Sequence, residues 1–182
     1  MAIMISIKPE YCEKILNGEK TIEIRKSIPK CDLPQKVYIY CTNSGEILRE
    51  FKYLNGRSNE RGFYIASRGR NNPSNWNGKV IAEFNLKEYD TFKEIDFISL
   101  KQACLTQEEI ENYSNGKIVF GWHIDDLVVY DKPKELGEFR KPCPYAKEGA
   151  ECYPENCKMC AWYTVIRPPQ SWCYVEDLKG EN

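Results

Sequence analysis

Three isoleucines, Ile3, Ile5 and Ile7, alternate with small or polar residues at the start of the chain. This is the period-two pattern of a strand with one buried face. Pro9 then stands where a first helical turn tolerates it. Tyr11, Ile15 and Leu16 recur at helical spacing until Asn17-Gly18 supplies a left-handed stop. After Gly18 the period returns to two, with Ile22 and Ile24 facing one way and Thr21, Glu23 and Arg25 the other.

Runs rich in Val, Ile, Tyr, Phe or Trp predict further strands at Lys36 to Thr42, Lys79 to Leu86, Lys117 to Ile124, Leu127 to Tyr130 and Trp172 to Val175. Thr106 followed three residues later by Glu109 forms a capping box that opens a short helix through Tyr113. Strands outnumber helices, and no internal repeat is visible. Arg57 to Lys79 has the composition of a loop, with Arg-Gly-Arg, Asn-Asn-Pro and Asn-Gly in succession.

At 182 residues with 42% hydrophobic content, the chain suits one core with a small appendage. A charged fraction of 29% and a mean hydropathy of −0.60 exclude a membrane protein. The apolar run at the N-terminus is too short for a secretory signal, and Lys8 and Pro9 interrupt it, so the chain reads as cytoplasmic. The formal charge of −1 gives no global attraction to a polyanion. Locally the balance differs. Arg49 to Lys79 carries seven basic residues against two acidic, and Val80 to Asp131 carries four basic against eleven acidic. The basic stretch includes Arg68, Arg70 and the aromatics Tyr53, Phe63, Tyr64 and Trp76. That mixture of cations and flat rings suits single-stranded nucleic acid, with Trp76 as the stacking candidate. A solvated loop whose aromatics reach back to the core is the competing interpretation.

Gly18-Glu-Lys20-Thr-Ile-Glu23-Ile-Arg25 gathers three charges of mixed sign at the mouth of a strand. Facing bulk water, these residues form a surface ladder contributing at most about 1 kcal/mol. Lining a cleft, Lys20 and Arg25 could bind phosphate or carboxylate while Glu23 orients them or accepts a base amino group. The pattern Gly18-x-Lys20-x-x-Glu23-x-Arg25 resembles the signature of the ASCH domain, a relative of the PUA RNA-binding fold. The Ile5-Ser-Ile-Lys-Pro-Glu-Tyr run before it resembles that domain's opening strand and helix. The likeness continues through Gly78 to Phe84, the Cys104-Leu-Thr segment, Trp122-His-Ile-Asp-Asp and Lys132 to Leu136, covering about residues 3 to 140.

The resemblance implies an α+β fold: a small PUA-like mixed β-barrel of five or six strands with two or three short helices. Its cleft would turn Lys20, Glu23 and Arg25 toward RNA, a single-stranded nucleic acid or a modified nucleoside. Arg68 and Arg70 would join Lys20 and Arg25 on phosphates, and Glu23 would meet a base edge. The main expectation is an RNA- or nucleotide-binding module. The alternative is a small hydrolase in the same cleft, either an amidohydrolase acting on acylated nucleosides or a ribonuclease. In the amidohydrolase branch a Lys, a Thr and a Glu act together. Lys20 matches, but Glu23 stands where that branch has its threonine, and the nearest hydroxyl is Thr21. Glu108 or Glu109 is a candidate carboxylate partner. His123, the single histidine, lies in an apolar run beside Asp125 and Asp126 and is read mainly as structural, as is Trp122.

Cys143, Cys152, Cys157 and Cys160 cluster, and their closing Cys-x-x-Cys is a chelate turn common in structural zinc sites. A cytoplasmic chain keeps thiols reduced, so a structural Zn²⁺ held by four thiolates is expected, with four unligated thiols as the bland alternative. The resulting layout is an ASCH/PUA-like barrel over residues 1–140, a Cys-rich zinc-binding insertion over 141–166, and a C-terminal strand over 167–182 that returns to the barrel. Cys173 on that strand is expected to be buried.

Overall fold

In the computed structural model, residues 1–55, 58–67, 76–143 and 163–178 are described. The opening strand β1 (Ala2–Ile7) is buried on both faces. Ile3, Ile5 and Ile7 enter the main core with Val37, Ile39, Phe84 and Trp122. Ala2 and Met4 enter a second cluster with Tyr38, Tyr40, Phe139, Val165 and Val175. The expectation of one buried face fails because residues from the C-terminal part of the chain cover the other.

Helix α1 (Pro9–Leu16) starts with its proline in the first turn and buries Pro9, Cys12 and Ile15. Gly18, at φ +77°, then reverses the chain. It leads into β2 (Ile22–Arg25), all four residues of which are buried. The next strands are β3 (Gln35–Cys41), β4 (Ile47–Asn55), β5 (Ser58–Ala66), β6 (Val80–Leu86) and β7 (Tyr89–Phe92). Helix α2 (Phe97–Ala103) is capped by the Asp96 side chain, and α3 (Gln107–Ser114) by the Thr106–Glu109 box. The chain finishes with β8 (Val119–His123), β9 (Asp125–Lys134) and β10 (Trp172–Val175).

The strands form a five-stranded sheet ordered β10-β1-β3-β6-β9, a three-stranded sheet ordered β2-β8-β7 and the β4-β5 hairpin. The fold is thus mixed α+β with three α-helices among the described residues, and the expected closed barrel is not formed there. The reason lies in the connections. The β1-α1-β2 excursion carries β2 out of the first sheet, and β3 returns beside β1 in parallel. Irregularities in the β6-β9 ladder bend the larger sheet, but β9 and β10 remain its edges. Trp122, on the central strand of the smaller sheet, is fully buried in the main core and joins the two layers.

The hairpin corrects the expectation of loop from Arg57 to Lys79 over its first part, where Ser58–Ala66 is strand β5. The register runs from Ile47↔Ala66 to Asn55↔Ser58. Phe63 and Trp76 pack edge-to-face at 5.0 Å within the core. The chain folds back here because these apolar rings are buried, whatever the flanking composition.

Gly121 sits at the centre of the smaller sheet, and a Cβ there would come within 2.7 Å of Phe92 and 2.9 Å of Ile22. Both neighbours are buried and packed. Gly121→Ala is therefore expected to destabilise the protein by about 1–3 kcal/mol, read as a lower urea midpoint. An unchanged midpoint would contradict this packing.

Candidate functional site

The charges of β2 and of the turn before it face a recess. Lys20, Glu23 and Arg25 are respectively 2%, 8% and 8% exposed and line a cleft of about 810 Å³. Glu23 lies between the two cations, with Oε2 3.2 Å from Lys20 Nζ and Oε1 3.0 Å from Arg25 Nη2. Lys20 also donates to the Ala103 carbonyl at 2.6 Å and lies 5.3 Å from the centre of the Tyr11 ring. Arg25 donates through Nη2 to the Ser6 carbonyl at 2.7 Å and through Nη1 to the Ser171 hydroxyl at 3.3 Å. Its Nε is buried without a hydrogen-bond partner.

Each partner comes from a different part of the chain. Ala103 ends α2, Ser6 lies on β1, and Ser171 immediately precedes β10. The Ser171 segment is fastened where the Ser6 hydroxyl donates to the Pro169 carbonyl at 2.6 Å and Ser6 N donates to the Ser171 carbonyl at 2.9 Å. Pro168, Pro169 and Gln170 thereby become one wall of the cleft. Tyr11 of α1 and Glu109, Asn112 and Tyr113 of α3 supply others.

The electrostatics favour an anion. The triad holds two positive charges and one negative, all taken out of bulk water, where screening is weak and an unbalanced charge is costly. Burial raises the Tyr11 phenol, and Glu109, Glu10 and Glu23 push it the same way, so its proton stays on through neutral pH. Burial likewise raises Tyr113. The Thr106 backbone N–H and hydroxyl both donate to Glu109 and hold its carboxyl below the usual range. The cleft therefore offers three cationic groups, Lys8, Lys20 and Arg25, two protonated phenols, and the carboxylates of Glu23 and Glu109.

The other candidates fall elsewhere. Thr21 is exposed and does not line the cleft. Trp76 is only 5% exposed, packed against Phe63 and with Arg61 5.1 Å from its ring centre. The stacking role assigned to it is corrected, because the core and Arg61 occupy its faces. His123 Nε2 lies 2.8 Å from Asp90, and His123 is not part of the cleft lining. Cys173 is half-buried, and burial raises its thiol.

Arg68 and Arg70 lie outside the described residues, as do Cys152, Cys157 and Cys160. Cys143 is a half-buried free thiol. It sits just past a β-bridge between Arg140 and Thr164, where Lys141 N donates to the Tyr163 carbonyl at 2.7 Å. The two ends of the cysteine-rich stretch therefore meet.

Sequence reasoning missed Ser6, Tyr113, Asn112 and the Pro168 to Gln170 wall, and Tyr11, expected on the apolar stripe of α1, packs against the core and also lines the cleft. The one available signal for Tyr11 was its place next to Cys12 and away from the most buried stripe of α1, where a phenol can border polar space.

No protein-family profile matches the chain. It is 37% identical over 51 residues to an ASCH domain-containing ribonuclease of Zymomonas mobilis subsp. mobilis, a match of 28% of this chain and 34% of the relative. The matched part is thus about a third of the relative's length. Among solved structures, the crystal structure of ASCH from Zymomonas mobilis superposes with a TM-score of 0.54 at 18% identity, covering 96% of this chain and 87% of that one. A serine-to-alanine mutant of the same protein gives a TM-score of 0.55 at 17% identity, covering 96% and 88%. This near-complete superposition shows that the chain has the fold of the Zymomonas ASCH structures.

Proposed function

We propose that the cleft takes a phosphodiester of single-stranded RNA and promotes its cleavage. The observation that carries this reading is the buried Lys20–Glu23–Arg25 triad, with one positive charge in excess and Arg25 Nε without a partner. A phosphate diester carries the charge and the acceptor oxygens to complete such a site. The short resemblance to an ASCH ribonuclease supports the same class. It favours cleavage over binding alone, which was the main expectation from the sequence.

RNA supplies its own nucleophile. Attack of a ribose 2′-hydroxyl on the adjacent phosphorus expels the 5′-oxygen and leaves a cyclic phosphate. The transition state gathers negative charge on the phosphoryl oxygens, where Lys20 and Arg25 would stabilise it. Glu23 holds the two cations in place and is a positioning residue. Glu109 is the carboxylate available to accept the 2′-hydroxyl proton, and Tyr11 can donate toward the leaving oxygen. The amidohydrolase alternative draws less support, since Thr21, the hydroxyl nearest to Lys20 in sequence, lies outside the cleft.

We also propose that Cys143, Cys152, Cys157 and Cys160 hold a structural Zn²⁺. Their spacing and the meeting of the segment's ends at the Arg140–Thr164 bridge support it.

Removing a member of a buried charge pair costs about 3–5 kcal/mol, so Lys20→Ala risks unfolding. Arg25→Lys keeps the charge but loses the planar fork. It is expected to stay folded while RNA cleavage falls at least tenfold, measured by gel with end-labelled RNA. Replacing the scissile ribose with deoxyribose should stop cleavage. Binding with no cleavage of any RNA would reduce the protein to a binding module, and full activity in Arg25→Lys would remove the cleft from the mechanism.

Metal analysis of protein purified under reducing conditions should find about one zinc per chain, lost in Cys157→Ser/Cys160→Ser. A folded, metal-free protein would rule the zinc out.

A further inference from the structure

The β4-β5 hairpin forms no ladder with the other sheets among the described residues, and its two faces differ. Leu48 and Phe63 are buried in the main core on one face. Arg61 on that face is consumed internally, paired with Glu50 and donating to the Tyr130 carbonyl at 2.5 Å. The other face presents Phe51 and Tyr64, 37% and 41% exposed, with ring centres 6.0 Å apart. The register sets Arg49 opposite Tyr64 and Phe51 opposite Gly62. A Cβ at Gly62 would fall 2.3 Å from the tip of the Phe51 ring, so the ring lies across the glycine. That glycine makes room for the Phe51 ring.

We infer that Phe51 and Tyr64, with Arg49 beside them, form a stacking platform for unpaired bases of the RNA whose phosphodiester occupies the cleft. This rests on the RNA reading above and adds a second contact region to it. Charge complementarity selects this occupant, because Arg49 is set opposite Tyr64 on the same face, where it can meet a phosphate of the strand whose bases stack. Aromatic faces beside a cation are what sequence-tolerant single-strand binding uses.

The platform is anchored to the cleft through α1. Asn17, at the end of that helix, donates to the Phe63 carbonyl at 2.9 Å and accepts from Phe63 N at 3.0 Å. Tyr11, on the same helix, lines the cleft. An eight-residue helix rises only about 12 Å, so one strand of several nucleotides can reach from cleft to hairpin.

The probes are 2′-O-methyl oligouridylate of about ten nucleotides, within the usual site size for such surfaces, and the corresponding dinucleotide, neither of which can be cleaved. Affinities are measured by fluorescence anisotropy. Wild-type protein should bind the longer strand much more tightly. In Phe51→Ala/Tyr64→Ala that length advantage should shrink about tenfold or more, while Tyr64→Phe should retain it. Arg49→Gln should lower the salt dependence by about one phosphate contact, and thermal unfolding shows whether each variant is folded. A folded double variant that keeps the full length advantage overturns the platform and leaves the cleft reading intact. Wild-type protein that binds neither probe overturns both. A wild-type dimer that becomes monomeric in the double variant, with RNA affinity unchanged, assigns the face to a second copy of the chain and overturns the platform.

Discussion

The placement of three ionised side chains out of water organises this molecule. Glu23 between Lys20 and Arg25 neutralises only one of two positive charges, and desolvation makes the remaining polar contacts obligatory. They come from Ala103 at the end of α2, Ser6 on β1, Ser171 before β10, and the face of Tyr11 on α1. The short stretch from Lys20 to Arg25 thereby draws together four separate parts of the chain. The triad is thus both a fastening of the fold and the floor of the cleft.

The two-layer arrangement follows from where β2 goes. Had β2 stayed in the sheet of β1, its polar face would have had to lie against apolar neighbours or point to solvent. Instead β2 pairs with β8 in the smaller sheet. Ile22 and Ile24 enter the satellite core with Phe92, Val119 and Ile110, and the ionic face meets the gap between the layers. The C-terminal segment then closes that gap from the far side, held by the Ser6 and Arg25 contacts. The cleft exists because two apolar layers stop short of each other where the charges stand.

Several elements were legible in the residues alone because their causes are local. The alternation of β1, the proline start and Asn-Gly end of α1, the Thr106–Glu109 box and the apolar runs of β3, β6 and β8 act over a few residues. The charged motif was legible as a motif. Three features were not. The β4-β5 hairpin was hidden by polar, glycine-containing composition, although Phe63 and Trp76 tie it to the core. The short β7 and α2 carry too few periodic residues to stand out. A closed barrel was expected from family likeness, whereas the strand connections leave β9 and β10 as edges.

What the sequence determined by itself is the supply of parts: strands and helices set by nearest-neighbour spacing, a Lys-Glu-Arg motif and a basic aromatic stretch. Only tertiary structure decided that Lys20 and Arg25 face a recess, that Trp76 belongs to the core, and that Thr21 stays outside. The deciding bonds join residues far apart in the chain: 83 positions from Lys20 to Ala103, 146 from Arg25 to Ser171 and 163 from Ser6 to Pro169. Periodicity carries no information over such separations. Burial of a charge is a property of what packs around it, and that is settled only when the distant segments meet.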